Sequence, residues 1–202
     1  MSLKKIASFV LVIFVLLMLS CNKSNSPSDF EYIIISDNVI TFVGYTGKNP
    51  DVIEDKLIIA GYVGERLDVV IPSKIEGKQV TIIGEYAFEN NSLTSVTIIN
   101  STTEIGQYAF AGCTSLTNIN IPESATTINE GVFNGCSSLT SITIPDSVTT
   151  IYPGAFAHCR SLTNLTIPDN VTAIWDYAFT GCDSLSEETK QRILEINPDA
   201  IF

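Results

Sequence analysis

Histidine is almost missing from this sequence: His158 is the only one among 202 residues. One imidazole, with no clustered pair of acids beside it in the sequence, composes neither a catalytic triad nor a zinc constellation. No metal, no cofactor and no enzymatic activity are therefore expected. Positive charge is scarce as well. Lysine and arginine number 11 against 22 acids, and none falls between Gln79 and Cys159, where Glu85, Glu89, Glu104, Glu123, Glu130 and Asp146 remain. A surface of that sign repels phosphate, which argues against nucleic acid as a partner and against electrostatic adsorption to anionic lipid. Charged residues of both signs make up only 16% of the chain, so its polarity rests on Ser, Thr and Asn.

What is present begins with an export signal. Lys4 and Lys5 precede a mostly apolar run from Ile6 to Leu19, of signal-peptide length and short for a membrane span. The run closes on Leu17, Met18, Leu19, Ser20 and Cys21. Small Ser20 before Cys21 resembles the lipobox of bacterial lipoproteins, with Met18 where that family usually has Leu. The resemblance implies a signal peptide over 1–20 and a new N-terminus at Cys21 bearing acyl chains, which would anchor the protein to a bacterial membrane. The plain alternative is a secretory signal with an incidental Cys21. The polar Ser/Asn/Pro stretch from Asn22 to Asp29 has the composition of a tether, giving an anchor-and-tether segment over 21–29.

Internal repetition governs the rest. Phe110, Phe133, Phe156 and Phe179 recur every 23 residues; Cys113, Cys136, Cys159 and Cys182 keep the same period. So do Leu116, Leu139, Leu162 and Leu185, and Ile121, Ile144 and Ile167 each precede a Pro. Within one unit, Ile142 and Ile144 alternate with Ser141 and Thr143, the pattern of a strand with one apolar and one polar face. Pro145 ends that strand, since it brings no donor to a ladder. Val148, Ile151, Ala155, Phe156, Cys136 and Leu139 then turn inward at irregular spacing. One such coil cannot bury these groups alone, but stacked coils can, with strands about 4.8 Å apart in a parallel sheet and the Phe side chains in one buried column. Earlier units are worn: Ile99 replaces the Pro, Asn90 stands at the Cys position, and five extra residues separate Pro72 from Ile83.

The expected fold is a β-rich α/β solenoid of about five coils spanning 67–185. Segments 32–35, 39–43 and 57–62 are β-rich and predict an N-terminal β cap over 30–66. A helical cap over 186–202 is expected, with Ser184 and Glu187 spaced as a capping box, a helix to about Ile196, and Asn197-Pro198 as its stop.

The unit resembles the treponemal, or BspA-like, class of leucine-rich repeats, because Leu-x-x-Ile-x-Ile-Pro, Ala-Phe and the Cys all sit at that family's spacing. The resemblance implies a bacterial surface or secreted protein and a binding or adhesion module, with host matrix proteins among its possible partners. The repeats themselves imply only a scaffold able to bind. A structural role as an envelope spacer without a dedicated ligand is the rival reading.

Three sets of residues stand out. His158 occupies the slot of Gly112, Gly135 and Gly181, so a turn residue is the simpler reading than a base. The four repeat cysteines predict a ladder of buried, reduced thiols rather than disulfides. The outward strand positions Ser95, Thr97, Asn118, Asn120, Ser141, Thr143, Asn164 and Thr166 compose an uncharged hydrogen-bonding face for a protein or glycan, or simply a solvated one. Tyr152 and Trp175 follow the buried Ile of their units and should be neighbours, either as exposed recognition aromatics or packed against the C-terminal helix.

Overall fold

A computed structural model describes residues 30–36, 39–41, 57–62, 67–75 and 78–202, with side chains from 67–74 and 79–202. The signal-peptide reading of 1–20 and the reading of Cys21 with its tether lie outside the described residues. Among the described residues no helix is long and apolar enough to cross a membrane.

In chain order the strands are β1 (Phe30–Ser36), β2 (Val39–Thr41), β3 (Leu57–Tyr62), β4 (Asp68–Val70), β5 (Lys74–Ile75), β6 (Lys78–Ile83), β7 (Ser95–Thr97), β8 (Glu104–Ile105), β9 (Asn118–Ile119), β10 (Thr127–Ile128), β11 (Thr150–Ile151) and β12 (Ala173–Ile174). One helix, α1 (Glu187–Ile196), follows them. A front ladder stacks β4, β7 and β9 in parallel, with Asp68, Ser95 and Asn118 in register, and resumes as the Ser141–Asn164 bridge. Its burial pattern is the one the alternation predicts: Val69, Val96, Ile119 and Ile142 are buried while the flanking polar side chains face out.

A second parallel ladder runs along another side of each coil. It joins β3, β6 and β8, then β10, β11 and β12. The sequence reading placed Ile151 inward but gave it no strand; two-residue strands are too short to display an alternation. Through β3 this ladder is continuous with the antiparallel strands β1 and β2. After Pro72, where the five extra residues fall, β5 and β6 pair antiparallel, Lys74 opposite Gln79.

The third side is a turn whose backbone bonds also cross between coils. The N–H groups of Phe88, Phe110, Phe133 and Phe156 donate to Ala109, Val132, Ala155 and Ala178 in the following coil at 2.7–3.0 Å. The five Phe rings form the expected column, stacked at 5.0–6.0 Å between centroids and fully buried. Cys113, Cys136, Cys159 and Cys182 are free and buried. Each thiol donates to the carbonyl of the preceding coil's Phe at 3.0–3.3 Å. Burial pushes the Cys113 thiol up to about 11 and that of Cys182 up to about 12, and raises Cys136 and Cys159 too.

His158 holds φ +61°, in one column with Asn90, Gly112, Gly135 and Gly181 at φ +55° to +75°. The left-handed turn explains the glycines, and His and Asn are among the side chains that tolerate it. A Cβ on Gly112 would meet the Asn90 amide at 2.1 Å, so a larger residue there would have to displace that side chain. This corrects the alignment of the earliest coil. Phe88 and Phe110 are 22 residues apart, so Asn90 is the counterpart of Gly112 and Asn91 stands at the Cys position.

The helix start also differs from the capping-box expectation. Ser186, extended at ψ 150°, is the N-cap, and its Oγ accepts from the Thr189 N–H. Ser184 instead donates to the Arg160 carbonyl. Glu187 and Glu188 lie in the first turn, where the helix dipole favours acids. Ile193 is buried in the core, and Ile196, Ala200 and Phe202 pack on it.

Candidate functional site

The outward row of front-ladder positions does not make one uniform platform. At its N-terminal half Ser95 is half-buried, while Thr97, Asn118 and Asn120 are exposed. The Asn120 side chain is already engaged: its Oδ1 accepts from the Ile98 N–H at 2.8 Å and its Nδ2 donates to the Ile98 carbonyl at 2.6 Å. On the second ladder Asn129 Nδ2 donates to the Ile105 carbonyl of the same neighbouring coil. These two amides join the second and third coils just past the end of the β7–β9 pairing and between β8 and β10, which are not paired with each other, so Asn120 is a structural clamp rather than a free contact.

At the C-terminal half the row becomes the floor of a groove. Ser141, Thr143, Asn164 and Thr166 are exposed and line a cleft of about 1050 Å³. Its wall is α1, through Ser186, Glu188, Thr189, Gln191, Arg192 and Glu195, and its rim carries Asp146 and Asp169. The wall is fixed by Thr189, buried, whose hydroxyl donates to the Leu165 carbonyl at 2.7 Å. That bond seals the last strand segment with a helix where a further coil would otherwise stack. Arg192 reaches both ways, to Asp169 at 3.4 Å and to Glu195 at 3.2 Å. Four carboxylates thus surround the cleft against one guanidinium.

The floor of this cleft is formed by outward strand positions expected from the sequence; its wall and rim are not among them. Both left a signal. Asp146 and Asp169 follow the Pro of successive units, and Glu188, Arg192 and Glu195 fall on one helix stripe by their spacing of four and three.

Tyr152 and Trp175 lie apart from the groove, at the corner after the second ladder. Their rings are parallel within 3° at 6.2 Å, and Trp175 remains 53% exposed. Two positions along the chain runs a further column the sequence reading did not single out: Tyr86, Tyr108, Gly131, Gly154 and Tyr177, all at φ +55° to +64°. Tyr86 and Tyr108 stack at 5.3 Å, and Tyr108 leans over Gly131, where an added Cβ would meet its ring at 2.2 Å. The Tyr108 hydroxyl donates to Glu130 at 2.6 Å; that bond, with burial and the carboxylate's charge, pushes the phenol up to about 12. Among the described residues, no group of three or more His, Cys, Asp or Glu side chains is placed to hold a metal ion.

The repeat pattern behind this geometry matches the model of the BspA-type leucine-rich repeat region over residues 72–201, in six copies. The chain belongs to the BspA-type leucine-rich repeat family. The match to the BspA-type repeats runs past the last Phe-bearing coil and into α1. Among solved structures, this BspA-type chain is similar to a leucine-rich repeat protein of T. pallidum, with 26% identity, TM-score 0.58, and coverage of 89% of this chain and 99% of the other. A leucine-rich cell surface protein of Faecalibacterium prausnitzii gives 29% identity and TM-score 0.62 over 91% of this chain and 46% of its own. A leucine-rich repeat protein of Bacteroides ovatus gives 32% identity and TM-score 0.60 over 74% and 40%. The chain therefore spans less than half the length of the latter two. No curated protein matches it.

Proposed function

We propose that this BspA-type chain is a cell-surface module, anchored by acylated Cys21, that binds a protein or glycan on the strand face of its solenoid. The observation that carries the reading is the groove: a preformed cleft of about 1050 Å³ whose floor is the exposed, uncharged end of the front ladder. Clefts of this order seat ligands, and small hydroxyl and amide side chains on rigid strands supply directional hydrogen bonds at little entropic cost. Support for surface display comes from the Faecalibacterium prausnitzii relative, described as a cell surface protein. Support for the anchor comes from Ser20-Cys21 at the end of the apolar run. Tyr152 and Trp175 are a second contact point, on another side of the coil from the groove.

The test has two arms. Cys21→Ala should move the protein from the membrane fraction to the soluble one; a variant that still fractionates with membrane refutes the anchor. The full chain is then screened against a panel of matrix proteins and neutral glycans. Asn164→Lys and Thr166→Lys, each with an unchanged melt, should weaken any saturable binding at least tenfold. Trp175→Ala reports separately on the flank. Binding that survives both groove variants places the contact elsewhere, and absence of any saturable partner favours the spacer.

A further inference from the structure

We infer that the partner seated on this strand face is a protein segment carrying lysine or arginine, and that the rim of the groove selects it by charge; the inference rests on the groove being the binding surface. The sheet face is unpartnered, and the occupant is argued from charge complementarity. Glu123, Asp146 and Asp169 occupy one position, the residue after the Pro, in three successive coils, and all three are exposed. Coil repeats of a parallel ladder are about 4.8 Å apart, so the three carboxylates form a row of like charge, in which Asp146 and Asp169 line the groove and Glu123 extends the row one coil beyond it. Each acid sits in the turn that the Pro carbonyl closes with the amide three residues on, and like charges brought together by that repeat are relieved by a cation lying against them.

Among the described residues, such a cation meets this row at Asp169. Arg192, projecting from α1, meets Asp169 at 3.4 Å. Asp146 and Glu123 continue the row into the part of the solenoid that contains no lysine or arginine, from Val80 to His158. Glu188, on the opposite wall of the cleft, adds another carboxylate. A guanidinium or ammonium from outside would therefore repeat along the rim what Arg192 does at its end. The neutral floor of Ser141, Thr143, Asn164 and Thr166 would meanwhile take the segment's backbone and polar atoms. Anionic glycans and acidic peptides meet four carboxylates here against the one guanidinium of Arg192.

The experiment uses the full chain and labelled peptides of alternating arginine and serine, glutamate and serine, or glycine and serine, with binding followed by fluorescence anisotropy. The arginine peptide should bind saturably and lose at least tenfold in affinity between 50 and 300 mM salt, as the Debye length shortens from about 14 Å to about 6 Å. The paired variant Glu123→Gln with Asp146→Asn should weaken it at least tenfold. The paired variant Glu85→Gln with Glu89→Gln, which removes equal charge away from the rim, should change it less than twofold. Equal loss in both pairs means attraction to net charge alone and overturns the inference. A partner from the panel whose binding is abolished by Thr166→Lys but indifferent to salt and to the rim pair also overturns it, while leaving the groove in place. Arginine-peptide binding that resists both the rim pair and Thr166→Lys removes the inference and the groove together.

Discussion

Thr102 is fully buried, and its hydroxyl has no hydrogen-bond partner. The equivalent positions in other coils are Val80, Ala125, Val148 and Val171, all buried. A hydroxyl removed from water without a partner costs free energy that a methyl of the same shape does not. Thr102→Val should therefore stabilise the protein by about 1–2 kcal/mol, read as a higher melting temperature. An unchanged or lower Tm would mean that the hydroxyl is satisfied in solution. At this scale the sequence was most informative about side chains that point inward, because one shared core forces Phe, Cys, Leu and Ile to repeat at fixed spacing. It was least informative about polar residues with private partners. Asn120 looks like its neighbours in the strand row, yet its amide is committed to Ile98. The β7–β9 pairing ends at Val96 and Ile119, one residue short of Asn120, and no local pattern encodes where it ends.

The helix α1 is both the end of the core and the wall of the groove, so its attachment decides whether the cleft is preformed. Two contacts can be separated. Ser186→Ala removes the N-cap and should cost about 1 kcal/mol. Thr189→Val removes the bond to Leu165 and leaves a buried carbonyl unpaired, at a cost of about 1–3 kcal/mol. Amide hydrogen exchange should show faster opening of residues 187–196 in both variants, with Phe110 and Phe133 amides protected as before. Uniform loss of protection along the chain would mean that the helix and coils unfold as one unit. The helix was legible from its acidic first turn, apolar stripe and Asn197-Pro198 stop, but its first residue was not. Ser184 and Ser186 are equally good caps by composition, and the choice falls to Ser186 because the chain turns helical only after Leu185 has entered the core. The later part of the second ladder was illegible for a different reason: β8, β10, β11 and β12 are two residues long, and their identity comes from the coil above and below.

Among the described residues, four protonated thiols, those of Cys113, Cys136, Cys159 and Cys182, lie in the interior. An unfolded chain would release those protons near the ordinary thiol value of 9.0, whereas the folded chain holds them to about 11 at Cys113 and about 12 at Cys182. Between roughly pH 9 and 11 the folded state thus binds more protons than the unfolded one, and stability falls as pH rises through that window. Below pH 9 the contribution is fully present. Each thiol adds at most about 1.4 kcal/mol per pH unit to the slope. Melts taken at pH 8, 9, 10 and 11 should be level at first and then decline, and Cys136→Ala should flatten the decline. A flat profile to pH 11, or an identical slope in the variant, would contradict the buried-thiol account.

The same thiols have a consequence for how such a chain can change over generations. Each Cys donates to the Phe carbonyl of the coil before it, and each Phe amide, to Phe156, donates to the coil after it. Every internal coil therefore presents one chemical face upstream and the matching face downstream, as successive layers of a growing crystal do. A duplicated copy of residues 136–158, spliced in after His158, meets on each side the face it was built to meet. The two ends, with their different chemistry, are left untouched. Reach can thus be lengthened or shortened by whole layers through simple duplication and deletion of coding sequence. The protein's span becomes something inheritance adjusts in steps of one coil, without a new interior having to be invented each time.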